Sequence, residues 1–506
     1  MVSRTAVAIL AILAIAVGLF GLHGTSKGLR VTRAVVDSTP VTIFQPELTA
    51  KRPVVVIAHG FAGSQQLMQP FAETLARNGY MAVTFDFLGH GRNPVPLHGD
   101  INEGHAITSE LLNDLSKVSA YARTLPESDG RMAVLGHSMA SDIVIRFAQA
   151  NPDIAATVAV SVFSPGVTAT SPRNLLVIVG ALEPAMLRDE GLRIVNLTAD
   201  GKAVAEETYG SFTDGTARRL VLARGVEHIG VLYSQHSLAQ ALQWINATFG
   251  RTEQDYTDRR GRWLGLLFVG IIALAWPLSA LLPRVTDGFA DAGLPWKRLL
   301  IAAIVPALLT PIILWKMPTD FLPILLGDYL ALHFLLYGAL TAALLWVWRR
   351  EKEGGDPAAP AWTNLAIAAV LIGAYNIAAF GLPIDAYLFS FMPIPARLPL
   401  MAAIACGTLP YFIADEWLTR GARARRGAYM LTKGCLLLSL AVAVALNPMK
   451  LFFLIIIVPA ILLLFLAFGL ISRWSYRATR HPLPGAVANA AVFAWAIAVT
   501  FPMIVR

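Results

Sequence analysis

Two patterns of apolar and polar positions divide this chain near residue 262. Before that point, short β-branched apolar runs alternate with amphipathic stretches. The runs at 54–58, 81–85, 132–135, 156–162, 175–179 and 220–223 predict strands. The stretches at 71–78, 107–123, 140–149 and 238–249 have helical spacing. Strands alternating with helices predict a mostly parallel sheet covered on both faces, and nearly continuous apolar strands fit burial from both sides. After that point the chain consists of apolar blocks separated by short charged gaps. Eight blocks, at about 263–283, 298–315, 322–348, 363–382, 398–415, 429–447, 451–472 and 484–504, are long enough to cross a bilayer.

One more apolar run, at 5–22, follows Arg4. Its length of about 18 residues just suffices for a span and is long for a signal-peptide core. No clear small-x-small cleavage site follows at 21–26, so the run reads as an uncleaved anchor, with a cleaved signal peptide as the alternative. The expected organisation is an anchor at 1–25, an α/β domain at 26–255, and an all-α transmembrane domain of about eight spans at 260–506.

Composition sharpens this division. Hydrophobic residues make up 56% of the chain and charged residues 15%, against roughly 25% charged in soluble domains. The formal charge of +8 comes largely from arginines in the gaps between apolar blocks. Topology and anionic lipid explain such charge better than nucleic acid does. No basic stripe with interleaved aromatics is present, so nucleic acid is not an expected partner. Alternate gaps hold Arg284, Lys297 and Arg298, then Arg349, Arg350 and Lys352, then Arg420, Arg423, Arg425 and Arg426, then Arg473, Arg477 and Arg480. The other gaps hold little more than Lys316, Arg397 and Lys450. The rich gaps are expected in the cytoplasm, which places the soluble domain outside it, on an inner or cytoplasmic membrane. Lys27, Arg30, Arg33, Arg259, Arg260 and Arg262 flank that domain and run against the count. The two cysteines, Cys406 and Cys435, lie in apolar blocks, so the soluble segment can form neither a disulfide nor a thiolate metal site.

Candidate chemistry is concentrated in the soluble segment. Gly136-His137-Ser138-Met139-Ala140 follows a predicted strand and opens a predicted helix. A serine hydroxyl on such a turn projects out of the sheet, and the next backbone N–H faces a developing oxyanion. Gly136 and Ala140 are small, as the close backbone approach requires. Upstream, His59-Gly60-Phe61 ends an early strand, and Asp86-Phe87-Leu88-Gly89-His90-Gly91 ends the next. These motifs, in this order, make residues 30–250 resemble the α/β-hydrolase superfamily. The resemblance implies an α/β-hydrolase fold, with Ser138 as nucleophile and the N–H groups of Phe61 and Met139 as oxyanion donors. The superfamily order then requires an acid and a histidine. Glu183, in Gly180-Ala181-Leu182-Glu183, matches the acid position with Glu in place of the usual Asp, and Asp189 is held in reserve. His228, before the final helix, matches the base. His59, His90 and His137 are expected to shape turns, Asp86 to tie its own turn, and Asp142 to be a polar helix position.

No metal-binding helix motif, cysteine pair or phosphate loop appears, so neither metal nor cofactor is expected. The stretch at 164–174 is too short for a large lid, and the longer excursion at 188–219 follows the acid. The site is therefore expected to be open unless the membrane or the helical domain walls it, which favours an acyl ester or lipid-like substrate met at the bilayer. The expected activity is carboxylic-ester hydrolysis. Alternatives are a transacylase using the same triad, or a transport or assembly protein whose soluble domain only binds. Protein partners cannot be read from the sequence. Within the helical half, Asp328, His333, Asn376, Asp385, Asp415 and Glu416 are ionisable or polar. The last three are expected near helix ends, within reach of water.

Overall fold

The computed structural model describes residues 3–98, 104–251, 256–290, 292–349, 359–421 and 423–505. The soluble segment is built on a nine-stranded sheet. Its strands are β1 (Leu29–Val36), β2 (Thr39–Pro46), β3 (Arg52–Ala58), β4 (Met81–Phe85), β5 (Ser128–His137), β6 (Ile154–Val160), β7 (Leu175–Gly180), β8 (Thr208–Tyr209) and β9 (Arg218–Ala223). Their spatial order is β1-β2-β4-β3-β5-β6-β7-β9-β8. From β4 to β9 all neighbours are parallel, and the β1–β2 hairpin and β8 run antiparallel at the edges.

The central strands are apolar throughout because both sheet faces are covered. Side chains of β3 alternate between two cores: Val54 and Val56 face one, Val55 and Ile57 the other. One face is covered by α3 (Gly104–Thr124) and α4 (Met139–Ala150), the other by α2 (Gln69–Arg77) and α6 (Gln235–Phe249). A fifth soluble helix, α5 (Ala185–Asn196), covers the β7–β9 end. The sequence pattern missed the β1–β2 hairpin. Strand β1 is an edge strand with mostly exposed side chains on both faces, so its pattern does not alternate.

Nine helical segments among the described residues are long and apolar enough to cross a membrane. They contain α1 (Arg4–His23), α7 (Arg260–Leu278), α8 (Trp296–Leu314), α9 (Gly327–Arg349), α10 (Trp362–Tyr375) with α11 (Leu382–Tyr387), α12 (Leu398–Thr419), α13 (Ala428–Leu446), α15 (Leu454–Thr479) and α16 (Leu483–Thr500). A one-turn helix, α14 (Pro448–Leu451), precedes α15. The block expected to start at 322 begins as helix only at Gly327, because Leu326 has a positive φ of 63°. Between α10 and α11 the helix passes through a π-helical turn at Asn376–Gly381. Glycines set the closest crossings. A Cβ on Gly407 would lie 2.1 Å from Ala331 O, and one on Gly338 would lie 2.4 Å from Tyr411 N. Helices α9 and α12 therefore touch backbone to backbone.

Of the acidic residues expected near water, Asp415 and Glu416 lie near the end of α12 but are buried and paired, while Asp385 is partly buried. Asp415 pairs with Lys433, and Glu416 with Arg420 at 2.8 Å, each within a helix–helix contact that excludes solvent. Asp385 accepts from the Phe391 and Met392 N–H groups at 2.9 Å and pairs with Arg92 of the soluble domain. That ion pair is one of several links between the halves. Ser390 N–H donates to Ser64 Oγ (2.8 Å), and the Arg397 guanidinium donates to Gly89 O (2.8 Å). Residues beyond α16 run alongside a soluble loop: Met503 N–H donates to Gly89 O, and Val505 N–H to Leu97 O. One hydrophobic core is continuous across the junction, from Phe87 and Leu97 to Phe501 and Met503.

Candidate active site

Strand β5 ends at His137, and Ser138 turns the chain into α4 with φ 55° and ψ −120°. A non-glycine residue in that region is strained, and its neighbours must be small to allow the turn. A Cβ on Gly136 would sit 2.3 Å from Ala140 O, and one on Gly60 would sit 2.9 Å from His137 O. The strain lifts the Ser138 hydroxyl above the sheet.

Three side chains from three loops meet there. Ser138 Oγ lies 2.9 Å from His228 Nε2, and His228 Nδ1 lies 2.5 Å from Glu183 Oε1. The Glu183 carboxylate is fully buried and the imidazole is only slightly exposed. Two donors hold the carboxylate in place: the Gly180 N–H at 2.9 Å and the Ser161 hydroxyl at 2.7 Å. The loop carrying His228 is fixed in turn. Glu227 accepts from the Ile229 and Gly230 N–H groups at 2.8 Å, and the His137 ring N–H donates to His228 O at 2.9 Å. Asp189, the reserve acid, is exposed beside Arg188 and does not reach the histidine.

The loop after β3 faces the same serine. His59 Nδ1–H donates to Gly60 O (2.8 Å), while its Nε2 accepts from the Phe87 N–H (3.1 Å). That ring therefore joins the two loops as a neutral imidazole, and burial keeps its pKa below the usual value. Asp86 accepts from the Gln65 N–H (2.8 Å) and the Arg92 N–H (3.0 Å), so it ties these loops together and does not serve the histidine. The Phe61 N–H donates to no backbone or side-chain group among the described residues. Met139 is the first residue of α4, where an N–H has no acceptor within the helix. Both positions named as oxyanion donors thus border the serine with their N–H groups uncommitted.

Residues 49–197 match the family described as serine aminopeptidase, S33. The nine-stranded sheet and the helices covering it have an α/β-hydrolase-like fold, and the family match spans under a third of the chain. Among curated proteins, this chain is 28% identical over 140 residues to Cutinase 2 of Thermobifida cellulosilytica, covering 28% of this chain and 51% of that one. The likeness to a cutinase of Thermobifida fusca strain YX is also 28% over 140 residues, covering 28% and 42%. The chain thus spans about half the length of the curated relatives it matches. Among solved structures, a putative dienelactone hydrolase from Klebsiella pneumoniae aligns at 17% identity and a TM-score of 0.34, covering 44% of this chain and 99% of that one.

Sequence reasoning missed two features of the hydrolase domain's site. Ser161, at φ 57° after β6, is the side chain that anchors the acid. Its only signal is a serine at the end of an apolar strand, which is too common to single out. The other is Phe453 of the helical domain. Its ring stacks on Phe61 at 4.2 Å between centroids and 27° between planes. Phe61 also meets His90 and Phe501 edge-on. No sequence pattern links position 61 to 453. Asp142 proves more than a polar helix position, because it accepts from the Ser164 hydroxyl and pairs with Arg146.

Proposed function

We propose that this chain is a membrane-embedded serine hydrolase that cleaves carboxylic esters through an acyl-enzyme. The observation that carries this reading is the unbroken relay from Ser138 through His228 to Glu183. Ser138 Oγ attacks the acyl carbon while His228 Nε2 takes its proton. Glu183 accepts from His228 Nδ1–H throughout, which fixes the tautomer and stabilises the imidazolium. The Phe61 and Met139 N–H groups receive the oxyanion, and each such donor is worth about 3 kcal/mol of barrier. His228 then protonates the leaving alcohol, and a water activated by the same histidine releases the acid.

The proposed substrate is an acyl ester or lipid-like ester met at the bilayer, because the stacking of Phe453 on Phe61 brings the helical domain up to the oxyanion loop. The likeness to cutinases favours an ester over an amide. The nine apolar helices support a multi-pass protein with a retained N-terminal anchor, and the arginine-rich gaps support a hydrolase domain outside the cytoplasm. Labelling of the detergent-solubilised full chain with a fluorophosphonate tests the reading. Wild type should label and Ser138→Ala should not. A folded wild type that stays unlabelled would overturn it.

A further inference from the structure

The basic residues flanking the hydrolase domain oppose the charge count that places it outside, and the structure gathers two of them, Arg259 and Arg262, with Arg77 of α2 around one opening. A cavity of about 690 Å³ lies where the C-terminal end of α1 meets the start of α7 beneath the hydrolase domain. One wall is apolar, made by Val17 and Phe20 of α1, both strongly exposed. The other carries the guanidinium groups of Arg77, Arg259 and Arg262. Two of these lie over aromatic rings: Arg77 over Tyr256 at 4.0 Å, and Arg262 over Trp263 at 4.3 Å. A guanidinium over an aromatic ring can still present N–H groups to an anion.

Among the described residues, the carboxylates nearest the opening are already committed. Glu73 and Asp258 both pair at 2.7 Å with Arg260, which is itself buried. Besides Tyr256, Arg77 reaches the Gly24 and Thr25 carbonyls at 3.4 and 3.5 Å. Among the described residues none of the three lining arginines has a carboxylate partner. Positive charge held open above an exposed apolar helix face has the chemistry of a phospholipid site: phosphate against the arginines, the first acyl methylenes against Val17 and Phe20.

We propose that this cavity holds the headgroup of an anionic membrane phospholipid, bound between α1, α7 and the hydrolase domain. The proposal rests on reading α1 and α7 as membrane-spanning. It also explains why basic residues persist on a side where the topology rule disfavours them: they are ligands. A free phosphate would use the cations and leave the apolar wall bare, so the wall argues for a lipid.

The test is native mass spectrometry of the full chain released from vesicles of equal phosphatidylglycerol and phosphatidylcholine. Wild type should retain phosphatidylglycerol with a preference on the order of 10-fold or more, since each basic residue near an anionic surface contributes severalfold. The triple variant Arg77→Gln, Arg259→Gln, Arg262→Gln should lose that preference. The exposed single variant Arg259→Glu should weaken it severalfold, which covers a triple variant that fails to fold. Equal retention of the two lipids by wild type, or an unchanged preference in a well-folded Arg259→Glu, overturns the proposal. Displacement of the lipid by millimolar inorganic phosphate would also overturn it. Fluorophosphonate labelling and carbonate extraction of the same samples report separately on the serine and on membrane insertion. Failure of lipid binding is therefore distinct from failure of either.

Discussion

Glu183 occupies a position where the superfamily this chain resembles usually has Asp, and the extra methylene has a visible use. It carries the carboxylate to a point where Ser161 Oγ, Gly180 N–H and His228 Nδ1 all reach it. Glu183→Gln keeps the volume but presents an amide to the histidine, which favours the wrong tautomer. The expected outcome is a fall in kcat of roughly 10³- to 10⁴-fold, with Asp189→Asn unchanged, both read by ester-hydrolysis kinetics. Equal effects of the two would move the acid elsewhere. Three further histidines are buried neutral: His59, His137 and His90, the last pushed down to about 3 by burial and by its neighbour His59. Once unfolded, each takes up a proton below about pH 6.5. The unfolded state then binds more protons, so stability is complete above that pH and is lost as pH falls toward the folded values. Each histidine costs about 1.4 kcal/mol per pH unit inside that window. Thermal unfolding should therefore show a midpoint that drops steadily from pH 7 to pH 5; a flat profile would contradict the burial argument. That Ser138, His228 and Glu183 lie together was legible because each sits in a motif whose order the superfamily resemblance supplies. Ser161 was not, since its role exists only once β6 and β7 lie side by side.

At the scale of elements, long apolar blocks were easy to read because a bilayer demands about twenty such residues in a row. Their ends were less legible. Leu326 breaks the start of α9, and a π turn divides α10 from α11, both for reasons of local backbone that hydropathy does not carry. The pairing of helices was also invisible in the sequence, although glycines decide it. A Cβ on Gly18 would meet Leu267 Cβ at 2.9 Å, and one on Gly270 would meet Ala11 O at 2.9 Å. Helix α1 is thus fitted against α7, as a retained anchor would be. Gly270→Leu is expected to force the pair apart at a cost of about 1–3 kcal/mol. In detergent this should appear as a lower melting temperature, with fluorophosphonate labelling preserved at low temperature. An unchanged melting temperature would show that α1 contributes little to the folded chain.

At the scale of the whole molecule, the hydrolase domain is attached at more than its two chain connections. Phe453, Asp385, Arg397 and Met503 all reach the loops that surround the serine. Phe453→Ala removes the stack on Phe61 and should lower kcat/KM for long-chain esters roughly 2- to 10-fold, given the size of an aromatic contact. Fluorophosphonate labelling should persist, and the exposed control Trp362→Ala should have no effect. Loss of labelling would instead mean that the stack maintains the loop itself. The strand-like contact of residues 503–505 with Gly89 and Leu97 carries a further consequence, for biogenesis. A ribosome makes the loop long before it makes those residues. The sheet and its serine can assemble early, but the loop beside the catalytic centre gains its last backbone partners only after α16 has been synthesised and set in place. Completion of the loop beside Ser138 thus coincides with completion of the apolar helices, and a chain stalled before α16 would carry that serine without its finished setting.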